Sequence, residues 1–356
     1  MKFLRLAFYV LIAQLVLSGC AGEAVEETSS SSSSEINFDA YVGRNASTRA
    51  GVTDIGFLKG KEWNSGFGVF ARYNHNGKIS SLMDSVHVTW EENHWKYTNT
   101  RYWPNEGTVD FYAFAPYNPD VKLVNKPKSN EANPTCIEFS APVDLVWGAQ
   151  TKKTPISPTD SKVKFQFEHA LARLGFDIAN QDLEENGAVI TVEEVKLYGE
   201  SDDKGAFDIK GYLNLKTGKW DSVVVDKNTR VVYTWTPTGL ENGTSFKLSA
   251  SQLDHTRGKI ENAPNSYLCI IPQVKYFPFY LQITYKVKQG DFEEKVKVRK
   301  NLLDVRNPPG VSNPSFSFEM GKAYVFHLKL SLDPINFNIS TTVEDFDKVN
   351  DETMIL

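Results

Sequence analysis

The residues able to do chemistry are few and scattered. Six histidines stand at 75, 87, 94, 169, 255 and 327. None forms an HExxH pair or joins cysteines at zinc-finger spacing. His87 and His94 flank Trp90 and read as a solvated or hairpin pair. There is no G-x-S-x-G elbow and no phosphate-binding glycine loop; Gly66-Phe67-Gly68 is a bare GxG. Carboxylate pairs such as Glu91-Glu92 and Asp202-Asp203 sit in turn-like polar text. A glycosidase needs two carboxylates placed across one bond, and the sequence nominates none. The expectation is a protein with no catalytic residues, no metal and no cofactor.

Three cysteines are spaced far apart, at 20, 136 and 269. Cys20 closes the text LSGC after Lys2, Arg5 and an apolar run from Leu6 to Leu17. That run is short for a bilayer span and reads as a secretory signal over 1–19. Small residues before a cysteine resemble the bacterial lipobox, in which cleavage leaves a diacylated cysteine. Cys136 and Cys269 lie in strand-like text (TCIEF, YLCII) and read as two buried free thiols rather than a disulfide. The formal charge is -5. It falls to -7 once Lys2 and Arg5 leave with the signal. That balance argues against nucleic acid, whose partners need a basic face.

The elements that must position everything else are strands. Residues 20–35 (CAGEAVEETSSSSSSE) have no periodicity and form an acidic, serine-rich tether. From Ile36 onward short apolar or alternating runs follow one another, separated by Gly, Pro, Asn and Asp. FGVFARY, HVTW, VDFYAFAPY, VKFQF, VEEVKLYG, YLQITYKV, EEKVKVRK and YVFHLKLSL are examples. No helix of ten residues is apparent, and HALARLGF is a single helical turn at most within β text. A polar stretch with two prolines, Gln150 to Lys162, marks a division into 36–157 and 158–356. The pattern is all-β, built from antiparallel sandwiches.

At the front, Ile36, Phe38, Ala40 and Val42 fall on one face of an extended segment. A polar loop with Arg44, Asn45, Ser47, Thr48 and Arg49 follows, the kind of segment that proteases reach. At the back, Ile335, Phe337, Ile339, Thr341 and Val343 likewise share one face.

The order of motifs resembles one family. The lipobox, TRAG, FGVFARY, WKYTNTRYWP with VDFYAFAPY, FEHALARLGFDI, VEEVKLYG, IPQ and GKAYVFHLKLSL together resemble the fimbrillin-like proteins of Bacteroides-type bacteria. The likeness runs from about Cys20 to Glu344. It implies an all-β chain of two transthyretin-like antiparallel β-sandwich domains in tandem. It implies a pilus subunit exported as a lipoprotein, held in the outer membrane at the cell surface through Cys20. It implies a cut between Arg49 and Ala50 that removes the 36–42 strand, and polymerisation by strand exchange with other pilin subunits. The 335–343 segment is then the donor, or else the closing strand of its own domain. After maturation the protein is located in the fimbrium and meets host or bacterial surface ligands. The acidic residues Glu23, Glu26 and Glu27 resemble the family's surface-export signal. Phe346 stands where relatives often carry tryptophan. A rival reading is a non-polymerising glycan-binding lipoprotein with Tyr102 and Trp103 as sugar platforms. His169 and Arg173 of HALAR read as structural.

Overall fold

A computed structural model describes residues 34–43, 53–141, 143–154, 162–180, 189–224, 230, 232–236, 246–248, 259–260, 268–307, 311–330 and 338–345. Among them the chain is almost entirely β. The first nine strands are β1 (Asn37–Val42), β2 (Phe67–His75), β3 (Lys78–Glu91), β4 (His94–Lys96), β5 (Thr108–Ala115), β6 (Leu123–Val124), β7 (Cys136–Ser140), β8 (Val146–Lys153) and β9 (Lys162–His169). One four-residue helix, α1 (Ile55–Leu58), precedes β2. Seven of these strands form one sheet in the order β1-β9-β8-β5-β2-β3-β4. The β2–β3 and β3–β4 turns are Asn76-Gly77 and Glu92-Asn93, all four residues at positive φ. That is the two-residue geometry whose twist matches the flanking strands.

Strict alternation sets the core. In β9, Val163, Phe165, Phe167 and His169 point inward while their neighbours stay exposed. Phe165 and Phe167 join Phe38, Phe67, Phe111, Trp95 and Trp103 in one apolar cluster. The sheet curls until its ends meet. Ile36 N donates to Arg101 O at 2.9 Å and Trp103 N to Ser34 O at 2.9 Å. The Tyr97 hydroxyl donates to Ile36 O at 2.8 Å.

The remaining strands are β10 (Ala172–Asn180), β11 (Val189–Tyr198), β12 (Lys210–Asn214), β13 (Lys219–Val223), β14 (Tyr233–Thr236), β15 (Phe246–Leu248), β16 (Lys259–Ile260), β17 (Leu268–Ile270), β18 (Gln273–Lys275), β19 (Tyr280–Gln289), β20 (Phe292–Asn301), β21 (Phe316–Phe318), β22 (Lys322–Leu330) and β23 (Asn338–Asp345). Helix α2 (Leu302–Arg306) follows β20. A sheet β16-β14-β11-β19-β20 faces a second sheet β17-β10-β22-β23 across a core that includes Val195, Leu281, Ile283, Tyr285, Tyr324 and Phe326. Most pairings are antiparallel; β1 with β9 and β10 with β22 are parallel.

The expected division at 157/158 is crossed by hydrogen-bonded pairing. Strand β9 lies beyond it yet completes the first sheet through β8 and β1. Strand β12 pairs with β7 in a sheet β13-β12-β7-β6. A third cluster (Phe70, Phe114, Ile137, Leu171, Leu213, Ile271) draws on both sides of the division. Alternation within each strand is local information; which distant strand it meets is not.

Candidate functional site

Both terminal strands named from the sequence lie at sheet edges. Among the described residues strand β1 pairs with β9 alone, in the register Phe38↔Val163, Ala40↔Phe165 and Val42↔Phe167, while the residues just before it bridge to Arg101–Trp103 on the other side. Ile36, Phe38 and Ala40 are 0, 4 and 4% exposed, and Val42 is half-buried against the same core. On the other face Tyr41 is exposed, and Asn37 and Asp39 are half-buried. Phe38 carries most of the contact. Its ring centroid lies 5.5 Å from Tyr97, 5.9 Å from Phe165 and 6.2 Å from both Phe67 and Phe111.

The last hold on this strand is weak, Gly43 N to Phe167 O at 3.5 Å. Arg49 and Ala50 lie outside the described residues, as does Cys20. Where the chain resumes it is firmly fixed. Thr53 N donates to Asp144 Oδ2 at 2.8 Å, and Thr53 Oγ1 donates to Asp144 O at 2.6 Å. The other oxygen of that carboxylate, Oδ1, lies 3.0 Å from His169 Nδ1. Both side chains of the Asp144–His169 pair are 3% exposed. Next to it Asp54 caps α1 by accepting from Phe57 N at 2.7 Å. So the segment preceding the expected cut is an edge strand, while the segment following it is tied to buried groups.

Sequence reasoning missed Thr53 and Asp144, and read His169 as structural. The available signal was an acid in the apolar text PVDLVW, since a buried charge needs a partner. With 3% exposure the pair meets no substrate; it is a fixed point of the fold.

At the other end β23 pairs antiparallel with β22, Val343 opposite Tyr324 and Ile339 opposite Leu328. Ile339 and Val343 are half-buried against the core that includes Tyr324 and Phe326. Lys322 Nζ reaches Asp345 Oδ1 at 2.5 Å near the open edge. Ile335 and Phe337 lie outside the described residues. Thus the 338–345 part of the segment closes its own sheet here, as an edge strand that no further strand covers among the described residues.

The other sequence candidates are placed as follows. Tyr102 is half exposed, but Trp103 is 4% exposed and packs edge-on against Phe111 at 5.5 Å, so the two do not form one platform. His87 stacks on Tyr117 at 3.7 Å and bonds Ser65 O, while His94 Nδ1 meets Glu92 O. No three His, Cys, Asp or Glu side chains among the described residues are placed to hold a metal. Cys136 and Cys269 are buried and free. Burial, reinforced by Asp221, pushes the Cys136 thiol up to about 12. Burial also raises Cys269 well above its ordinary value. Neither thiol is a nucleophile at neutral pH.

A family model described as fimbrillin-like matches residues 48–345. The chain belongs to the fimbrillin-like family. A relative named fimbrium subunit Fim1C, from Phocaeicola vulgatus, is 22% identical over 373 aligned positions covering 94% of each chain. A solved fimbrial protein from Bacteroides vulgatus superposes with a TM-score of 0.60 at 20% identity, over 88% of this chain and 99% of that one. The structural match establishes a shared fold with this fimbrillin-like chain. The family match begins one residue before Arg49, so strand β1 lies outside it.

Proposed function

We propose that this fimbrillin-like chain is a structural and adhesive pilus subunit assembled by exchange of its edge strands. The precursor reaches the outer membrane as a lipoprotein anchored through Cys20. A protease then cuts the Arg49–Ala50 bond. The cut frees residues 20–49, which carry the lipid, the tether and β1 together.

The observation that supports this reading most is the asymmetry around residues 44–52. Before them, β1 fills an apolar slot but is hydrogen-bonded, among the described residues, to a single neighbour strand. After them, Thr53 is tied to Asp144. Loss of β1 uncovers Phe165 and Phe167 and the backbone edge of β9. An open edge beside an apolar groove is sticky, and a strand from a second subunit fills it by β-augmentation. The alternating face Ile335, Phe337, Ile339, Thr341 and Val343 is the proposed filler. Donation requires β23 to leave β22, which its edge position allows. The relative's name, fimbrium subunit, supports a fimbrial location at the cell surface.

The test is Arg49→Ala in the native cell. The proposal predicts an acylated precursor of full length and no high-mass polymer. Polymers that form undiminished from the uncut variant would contradict it.

A further inference from the structure

Two segments of the chain carry nearly the same text. Residues 36–42 read INFDAYV and residues 335–341 read INFNIST. Ile335, Asn336 and Phe337 repeat Ile36, Asn37 and Phe38 in order. Asn338 stands for Asp39, another short polar side chain, and Thr341 stands for Val42, a β-branched residue of similar shape. The first segment runs through β1, and residues 338–341 of the second lie in β23.

The place that β1 occupies is shaped for the repeated residues. Ile36 is fully buried, and the Phe38 ring sits among Tyr97, Phe165, Phe67 and Phe111. Ile36 is also held through its backbone. Its N–H donates to Arg101 O, and its carbonyl accepts from the Tyr97 hydroxyl. Those two bonds are open to the backbone of another isoleucine at the same place. In its own sheet, by contrast, Thr341 Oγ1 is buried with no hydrogen-bond partner among the described residues. The half-buried position of Val42 would open that hydroxyl to water.

The slot also discriminates between registers. Strand β1 runs parallel to β9, with Phe38 opposite Val163 and Ala40 opposite Phe165. An incoming 335–341 segment that slips by one residue turns its apolar face outward. A slip by two in one direction drives the Phe337 ring into the place of the buried Ala40 methyl group. A slip by two in the other direction leaves the niche among the four rings to Ile339. Reversed in direction with Phe337 kept at the Phe38 place, the segment brings Asp333 to the inward position of Val42. It also puts Pro334, which has no N–H, into the strand beside β9. One arrangement keeps Ile335, Phe337, Ile339 and Thr341 inward with the ring in its niche. It is parallel to β9, with Phe337 in the place of Phe38.

We propose that the slot of β1 selects the 335–341 segment of a second copy of this chain, in the register that puts Phe337 where Phe38 stood, so that the chain polymerises with itself. The assignment rests on the strand-exchange reading and adds to it the partner and the residue that sets the register. Ile335 takes the place of Ile36, and Thr341 that of Val42. On the inward face only Ile339 is larger than the residue it replaces, Ala40.

The experiment is disulfide trapping in fimbriae on the native cell. In the proposed register Asn338 replaces Asp39, which stands opposite Lys164 on the exposed face of β9. Neighbouring strands lie ~4.8 Å apart, within the ~4.4–6.8 Å that a disulfide spans between Cα atoms. The native Cys136 and Cys269 are buried and leave the background low. Asn338→Cys with Lys164→Cys yields a ladder of covalent multimers on oxidation, and reduction removes it. Asn338→Cys with Gln166→Cys, two residues out of register, yields none. Phe337→Ala added to the first pair abolishes the ladder. Ile339→Ala added to it restores the side chain that β1 carries and keeps the ladder. A ladder from the 338/166 pair instead, a trapped monomer alone, or polymers that start at Ala50 and do not trap would overturn the proposal and leave strand exchange standing. Polymers whose subunits retain β1 would overturn both.

Discussion

Under the proposed maturation, Phe38 is the side chain of β1 whose loss best separates the precursor from the assembled subunit. It sits on β1, is 4% exposed, and has four aromatic rings within 6.2 Å. Truncating such a side chain costs roughly 3–5 kcal/mol through lost transfer energy and the cavity left behind. For a unit of 150–250 residues, 1 kcal/mol moves the melting temperature about 2–4 °C. Phe38→Ala therefore lowers the melting temperature of the uncut precursor by about 6–20 °C. Under the proposed strand exchange, residue 38 is absent from the polymer and a neighbour's strand fills the slot. The same substitution then leaves the polymer's dissociation temperature unchanged. The assay is thermal denaturation of purified precursor beside gel-resolved dissociation of fimbriae, each compared with wild type. Equal losses in both forms would refute the reasoning, because they would mean that β1 stays in place after assembly.

Three further outcomes follow from the same structure. Val343→Asp spoils the β23 face and blocks donation but not acceptance, so mixing it with wild type shortens fibres; unchanged fibre length with only a lowered monomer melting temperature would assign β23 to its own sheet. Lys275 is 6% exposed and its Nζ donates to Ala206 O, and burial lowers its pKa to about 8. An unfolded lysine titrates near 10.4, so between about pH 8 and 10.5 the unfolded chain binds more protons. Stability carried by this group therefore rises with pH across that window, and Lys275→Met removes that part of the rise in paired melts at pH 7.5 and 10. Cys136 and Cys269 resist a thiol reagent at pH 8 in the native mature chain and both react in denaturant; rapid native labelling would contradict their burial.

Local pattern carried much of this fold. The alternation of Ile36 to Val42 and of Val163 to Phe167 is visible in the text, and burial follows it throughout β9 and from Ile36 to Tyr41, with Val42 only half-buried. The Asn76-Gly77 hairpin turn went unread, although Asn-Gly is among the few pairs that accept two successive positive φ angles. What the text hides is distant. Asp144 and His169 are 25 residues apart, and neither residue type by itself signals burial. The parallel pairing of β1 with β9 joins segments more than 120 residues apart, and β7 with β12 crosses a stretch that reads as a boundary. Gln282 shows a third kind of blindness. Its alternation with Leu281 and Ile283 places it on an outer face, yet it is 4% exposed in the structure.

The central claim is that β1 leaves. The most direct measurement is the N-terminal sequence and intact mass of the protein taken from the surface of the native cell. Strand exchange predicts a chain that starts at Ala50, without lipid, recovered in high-mass polymers. A polymer whose subunits still start at acylated Cys20 would contradict it.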